Sequence, residues 1–264
     1  MLGGSVVKTV NINGNTIEYK DVGSGVPLLL LHTLLADNSV YDRVIPDLAK
    51  NFRVISPNFP GYGGSTGEVK GGIEAYAAIV PAFLDSLGID QVDLLGNGFG
   101  GFVAQAVAIA YPERVKRLML VDTAAGFPEE GKVPLRAIRA KVLENGITAI
   151  LDAAMGRMFP ASYIAAAPDV IAERRAALSK ADAALFANAC GALIALDHRP
   201  SLHKVHHETL VMVGLEDQTT PPALSRELAS MIPQSKLLEL PGLGHCPQIQ
   251  DPADFVTAVR AFLA

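Results

Sequence analysis

An α/β chain with a mostly parallel, doubly wound sheet and an inserted helical cap is predicted by three features of the sequence. Strand-like and helix-like segments alternate as far as Asp122, the alternation stops from Phe127 to about His206, and it resumes from Thr209 onward. Alternation of this kind implies parallel strands with helices on both faces. The interval without strands is rich in alanine and helical in period, as expected of helices laid over such a sheet. The expected division is a core of residues 1–126 and 207–264 and a cap of residues 127–206.

The elements follow in order. Val6–Val10 and Thr16–Tyr19 flank Asn13-Gly14. That pair accepts the positive φ angles of a tight hairpin, so the sheet is expected to start antiparallel. Pro27–Leu31 is a continuous apolar run ending at His32, as a strand buried on both faces reads. Tyr41–Ala49 is expected to be helical, with Val44, Ile45 and Leu48 on one side, and Phe52–Ser56 is the next strand. Pro57–Ser65 is too rich in proline and glycine to be anything but loop. Ile73–Leu87 reads as one helix despite Pro81, ended by Gly88. An apolar strand from Val92, the helix Phe102–Ala110 and the strand Arg117–Val121 come next. The cap is expected to contain helices over Leu135–Glu144, Ile147–Met155, Val170–Ser179 and Ala183–Leu196, with charges of mixed sign on a solvated outer face. The core resumes with strand Thr209–Val213, helix Ala223–Met231, strand Lys236–Leu240 and helix Phe255–Leu263, the last with Asp251 as N-cap and Pro252 at N1.

Composition narrows the function classes. A chain of 264 residues, 50% hydrophobic, has enough material for one large core domain carrying an insertion. Its net charge of −5 offers no basic footprint for nucleic acid or an anionic membrane. No apolar run approaches the roughly 20 residues of a spanning helix. Met1–Ser5 lacks the basic and apolar regions of a signal peptide. Two cysteines, Cys190 and Cys246, are too few for a disulfide framework. The expectation is a soluble, cytoplasmic protein acting on a small molecule. His198, His203, His206 and His207 match no metal-ligand spacing, so neither metal nor cofactor is expected.

The chain is organised around Val92–Gly101, a strand running through a glycine-rich turn into a helix, where backbone N–H groups point at whatever lies above the turn. Two patterns fit it. G-x-G-x-x-G matches at Gly96, Gly98 and Gly101, with Asp122 about twenty residues on, as in a dinucleotide fingerprint. That fingerprint normally opens the first βαβ unit of its domain, whereas at least three strands precede it here. G-x-S-x-G, the nucleophile elbow, fits at Gly96-Asn97-Gly98-Phe99-Gly100, with glycine where the nucleophile belongs.

Ligands of open parallel sheets bind beyond the C-terminal ends of the strands. The reactive residues expected there are His32, Thr33, Gly98, Asp122, Glu216, Asp217 and His245. Asp217 sits in the segment Val213–Pro222 and His245 in Leu240–Pro247. The order of elbow, acid and histidine, the strand ending at His32, the loop Pro60–Ser65 and the cap together resemble the α/β-hydrolase superfamily over nearly the whole chain. Within it, the cap and its exit Leu196–Leu202 look most like the 3-oxoadipate enol-lactone hydrolase branch. The resemblance implies the α/β-hydrolase fold and descent from carboxylic ester or lactone hydrolases. It implies that His245 is the general base, Asp217 its orienting acid, and the amides of Phe99 and Leu34 the oxyanion donors. His32, Thr33, Met155 and Met158 are expected in the substrate pocket. Asp122 is an alternative acid partner for His245, or a polar residue where the cap begins. Cys246 adjoins His245 but reads as a buried small hydrophobe rather than a substitute nucleophile.

Two departures stand out. Thr33 follows His32 where the superfamily usually has glycine, and Gly98 replaces the serine. Glycine has no side chain to attack a carbonyl, so no acyl-enzyme forms at residue 98. It also relieves the strain, roughly 1–3 kcal/mol, that a residue with a Cβ bears at an elbow. The expected protein is a serine hydrolase whose nucleophile has been replaced, most simply by engineering, and which binds substrate but turns it over poorly. The alternatives are a natural serine-less relative using His245 and Asp217 as a general base, in lyase or cofactor-free oxygenase chemistry, and a non-catalytic small-molecule receptor.

Overall fold

The computed structural model describes residues 7–264, so the Met1–Ser5 segment and Val6 lie outside the described residues. Among the described residues, eight strands form one sheet: β1 (Val7–Ile12), β2 (Asn15–Val22), β3 (Val26–Leu31), β4 (Phe52–Pro57), β5 (Val92–Asn97), β6 (Val115–Val121), β7 (Thr209–Gly214) and β8 (Ser235–Leu240). Their order across the sheet is β1-β2-β4-β3-β5-β6-β7-β8. The β1/β2 and β2/β4 pairs are antiparallel and the others parallel. The hairpin forms at Asn13-Gly14, with φ of 52° and 84°, the signs a twist-matched two-residue turn requires.

The helices are α1 (Ile45–Leu48), α2 (Ile73–Ala77), α3 (Ile79–Ser86), α4 (Phe99–Ala110), α5 (Glu129–Asn145), α6 (Leu151–Met158), α7 (Ala161–Ala166), α8 (Pro168–Leu178), α9 (Ala183–Ala195), α10 (Pro222–Met231), α11 (Pro247–Gln250) and α12 (Pro252–Leu263). Proline accounts for the main differences from the expected boundaries. The helix expected over Tyr41–Ala49 shrinks to α1 behind a 3-10 turn at Asn38–Tyr41, with Pro46 in its first turn. The segment Ile73–Leu87 breaks at Ala78 into α2 and α3, because Pro81 has no N–H to donate to Ala77 and its ring crowds that carbonyl. Gly88 ends α3 as expected, at φ 66°, with Ile89 N–H reaching back to the Leu84 carbonyl. By contrast, α5 runs through Pro134 and starts six residues before Leu135. Asp251 caps α12 through the Asp254 amide.

Helices α5 to α9 lie between β6 and β7 in sequence. The chain leaves and re-enters the sheet at one neck, an antiparallel bridge between Gly126 and Asp197 reinforced by His198 N–H on the Ala125 carbonyl. Strands β5 and β7 are buried along their whole length, whereas the edge strand β8 is only partly covered. Gly96 lets β5 and α4 approach closely, and Gly100 and Gly101 seat the start of α4 against the ends of β3 and β6. A Cβ on Gly100 would lie 2.2 Å from the Leu31 carbonyl oxygen, and one on Gly101 would lie 2.6 Å from Thr123 Cβ. Close packing at Gly96 and Gly101 and the positive φ of Gly98 therefore account for the glycines of the dinucleotide-like pattern.

Candidate active site

Strand β5 delivers residue 98 to the turn before α4 with φ 52° and ψ −113°, in a region that a residue with a Cβ enters only under strain. The Gly98 carbonyl is tied down by Thr123 Oγ1 and by the amides of Gly101 and Phe102. The two ends of a trans peptide point opposite ways, so the Phe99 N–H is turned away from those contacts. The loop after β3 is fixed in the same manner. His32 O accepts from Gly100 N–H, Thr33 O accepts from His32 Nδ1–H at 2.8 Å, and Leu34 O accepts from Tyr62 Oη–H at 2.9 Å. The Leu34 amide consequently faces away from the His32 ring. Among the described residues, neither the Leu34 nor the Phe99 amide donates to a protein acceptor, and both residues line one cavity with Gly98, Thr33 and His245.

Asp217 meets His245 behind that cavity, which the histidine lines. His245 Nδ1 lies 2.9 Å from Asp217 Oδ2, and both side chains are wholly buried. The carboxylate also accepts from the amides of Thr219 and Thr220 and from Thr220 Oγ1. With Nδ1–H committed to Asp217, the remaining ring nitrogen is an acceptor. Thr33 Oγ1 lies 3.0 Å from that Nε2. This arrangement can draw a proton from a hydroxyl and hold the resulting imidazolium against a fixed carboxylate.

The structure brings together Gly98, Phe99, Leu34, Thr33, Asp217 and His245, and separates three of the other expected residues from the cavity. His32 is packed between the rings of Phe59 and Tyr62, at 4.8 and 4.9 Å, and its Nε2 accepts the Phe59 amide at 3.0 Å. Burial pushes its pKa down to about 4, so it is a neutral strut behind the loop rather than a pocket residue. Met155 and Met158 are buried and do not line the cavity. Met158 contributes instead through its carbonyl, which accepts the His245 amide at 2.9 Å. Asp122 does not partner His245. Its Oδ1 accepts the Gly214 amide at 2.8 Å, and burial followed by the adjacent Asp217 charge raises its pKa well above the carboxylate range. Cys246 is buried, with Sγ directed at Asn97 Oδ1.

Two residues that sequence reasoning missed belong to this site. Asn97 holds the elbow to the histidine loop, donating from Nδ2 to the Val121 and His245 carbonyls while Oδ1 accepts from Gln248 Nε2. Its position before Gly98 was visible, but two of its partners, His245 and Gln248, lie 148 and 151 residues away in the sequence. Arg157, from α6, lines the cavity beside Thr219 and Thr220. It has no ion-pair partner among the described residues, and desolvation lowers its pKa against the pull of Asp217. Only the return of the insertion over the sheet reveals it.

Known proteins share this architecture. The chain is 32% identical to a 2-hydroxymuconate semialdehyde hydrolase of Pseudomonas sp. (strain CF600), over 95% of this chain and 91% of that one. It is 30% identical to 3-oxoadipate enol-lactonase 2 of Acinetobacter baylyi, over 90% and 88%. The crystal structure of the enol-lactonase from Burkholderia xenovorans LB400 superposes with a TM-score of 0.91 at 29% identity, covering 97% of this chain and 99% of that one. The family model described as "Alpha/beta hydrolase family" matches residues 28–259, which span the sheet from β3, the elbow, the Asp217 turn and the His245 loop, and the chain belongs to that family.

Proposed function

We propose that the protein is a hydrolase of small carboxylic esters or lactones in which the elbow supplies a backbone amide but no nucleophile. The observation that carries this reading is the wholly buried His245–Asp217 pair, whose histidine lines one cavity with the unpaired amides of Leu34 and Phe99. A receptor has no use for a histidine whose tautomer is fixed by a four-times-bonded carboxylate. Arg157 in the same wall favours a substrate carrying a carboxylate near its reacting carbonyl. The relatives' names are consistent with that chemistry, being hydrolases of an enol-lactone and of a muconate semialdehyde.

Gly98 does not behave as a serine site left empty. The side chain of Thr33 fills the space beside His245, which speaks for a natural serine-less relative over a single engineered replacement. The test is hydrolysis of aryl esters, simple lactones, 3-oxoadipate enol-lactone and 2-hydroxymuconate semialdehyde by the protein and by His245→Ala. Loss of a positioned base is expected to lower turnover by about 10²-fold or more. Equal rates in the two proteins refute the reading, and tight binding of a substrate with no turnover leaves the receptor.

A further inference from the structure

Residue 98 has no hydroxyl, yet a hydroxyl does sit at His245. A Cβ built on Gly98 would lie 2.4 Å from Thr33 Oγ1, 3.0 Å from Thr33 Cβ and 2.6 Å from His245 Nε2. The side chain a serine would need and the side chain of Thr33 therefore compete for one place. We propose that Thr33 is the nucleophile of this site, its Oγ1 taking over from the absent elbow serine at the mouth of the His245–Asp217 pair. The inference rests on the ester or lactone hydrolase reading and deepens it.

The other hydroxyls around the cavity are committed elsewhere. Thr219 Oγ1 donates to the Arg157 carbonyl, Thr220 Oγ1 bonds Asp217 and the Asp122 carbonyl, and Thr123 Oγ1 holds the Gly98 carbonyl. Cys246 Sγ faces Asn97, and burial raises its pKa well above the usual thiol value. Among the described residues, Thr33 alone presents a hydroxyl to His245 Nε2. It is buried in the cavity wall and immediately precedes the Leu34 amide, an arrangement that repeats the relation of residue 98 to the Phe99 amide. A threonine hydroxyl becomes a competent nucleophile when an adjacent base removes its proton.

In the first half-reaction Thr33 Oγ1 bonds the acyl carbon and its proton passes to His245 Nε2, while Nδ1–H stays on Asp217. Collapse breaks the acyl carbon–oxygen bond of the substrate, and the leaving oxygen takes the proton from Nε2. In the second, water gives a proton to Nε2 and its oxygen bonds the acyl carbon. The bond to Thr33 Oγ1 then breaks, and that oxygen recovers the proton. The sum is ester plus water giving acid plus alcohol, with the lactone giving both on one chain.

The test compares the protein with Thr33→Val, Thr33→Ser and His245→Ala, each checked for folding by its circular dichroism spectrum. A fluorophosphonate probe is followed by peptide mass spectrometry, alongside turnover on the ester and lactone panel. The expected result is a phosphonyl adduct on residue 33 in the protein and in T33S, none in T33V or H245A, and turnover at least about 100-fold lower in T33V with recovery in T33S. Full turnover in T33V with loss in H245A makes water the nucleophile, overturning the role of Thr33 while leaving the hydrolase reading standing. An adduct on Thr33 with no turnover of any panel member supports the nucleophile and refutes the substrate class. Neither adduct nor turnover in the folded protein overturns both.

Discussion

Replacing Gly98 by serine alone, which restores the usual elbow nucleophile, is expected to destabilise the protein rather than produce a working serine triad. The backbone there, at φ 52° and ψ −113°, costs a residue with a Cβ about 1–3 kcal/mol. Contacts of 2.4 Å to Thr33 Oγ1 and 2.6 Å to His245 Nε2 must also open. Neither neighbour yields cheaply, because Thr33 is β-branched and His245 is pinned between Asp217 and the Met158 carbonyl. Overpacking of this kind costs about 1–3 kcal/mol, and losing the Thr33–His245 hydrogen bond about 1 kcal/mol more. The total is roughly 3–7 kcal/mol, a large share of the 5–15 kcal/mol typical of a domain. Thr33→Gly in the same chain removes both Thr33 contacts, so the double variant should recover the Thr33 share of the crowding cost and keep the strain and the His245 contact. The assay is urea unfolding of the protein, G98S, T33G and the double variant. A coupling of about 1–3 kcal/mol is expected, with serine-dependent ester hydrolysis only in the double variant. Additivity to within about 0.5 kcal/mol refutes the claim that the two positions compete for one space.

Three further outcomes are expected. Burial holds the native pKa of His32 and of His198 down to about 4, against 6.5 for the free side chain. The unfolded chain therefore binds more protons between those values, and stability falls as pH drops from 6.5 to 4, by about 3 kcal/mol for each histidine. His198→Gln should flatten that fall in urea titrations at pH 7 and 4.5, and an unchanged slope refutes the assignment. Asp122 has the opposite sign: its raised pKa keeps a proton on the native state, so stability falls as pH rises above 3.8, by about 1.4 kcal/mol per pH unit until the native group ionises. Asp122→Asn, which keeps an acceptor for Gly214, should remove this slope and raise the melting temperature more at pH 8 than at pH 4. Arg157→Gln should raise KM for carboxylate-bearing substrates by about 10- to 100-fold, the worth of a charge-assisted hydrogen bond, and leave neutral aryl esters unchanged. Equal effects on both would place Arg157 outside substrate recognition.

The sheet was legible because its signals are local. Asn13-Gly14 selects its own turn, the run Leu28–Leu31 states its burial on both faces, and Gly88 and Asp251 mark helix ends by backbone chemistry that acts within a few residues. What misled was also local, but governed by one missing donor: Pro46 shortened a helix, and Pro81 split another one turn upstream, where apolar periodicity gave no warning. Pro134 shows the limit of the rule, since α5 absorbs the loss of one hydrogen bond within its second turn.

The site was legible only where its chemistry is carried by strand ends. Asp217, His245 and the elbow follow from β7, the turn after β8, and β5, so their order along the chain is informative. His32 occupies a strand end too, yet its ring turns back into the loop, an orientation set by the Thr33 carbonyl and the Phe59 amide rather than by its place in the sequence. Thr33 and Gly98 appear in the sequence as two unrelated departures 65 positions apart. The parallel pairing of β3 with β5, Leu31 opposite Gly96, carries them to the same end of the sheet, where the threonine side chain stands in the volume the glycine vacates. Seen in space they are a single exchange, a hydroxyl moved from one strand end to its neighbour. The exchange keeps the one relation that base-assisted attack requires, an oxygen within hydrogen-bond reach of the free nitrogen of an oriented imidazole.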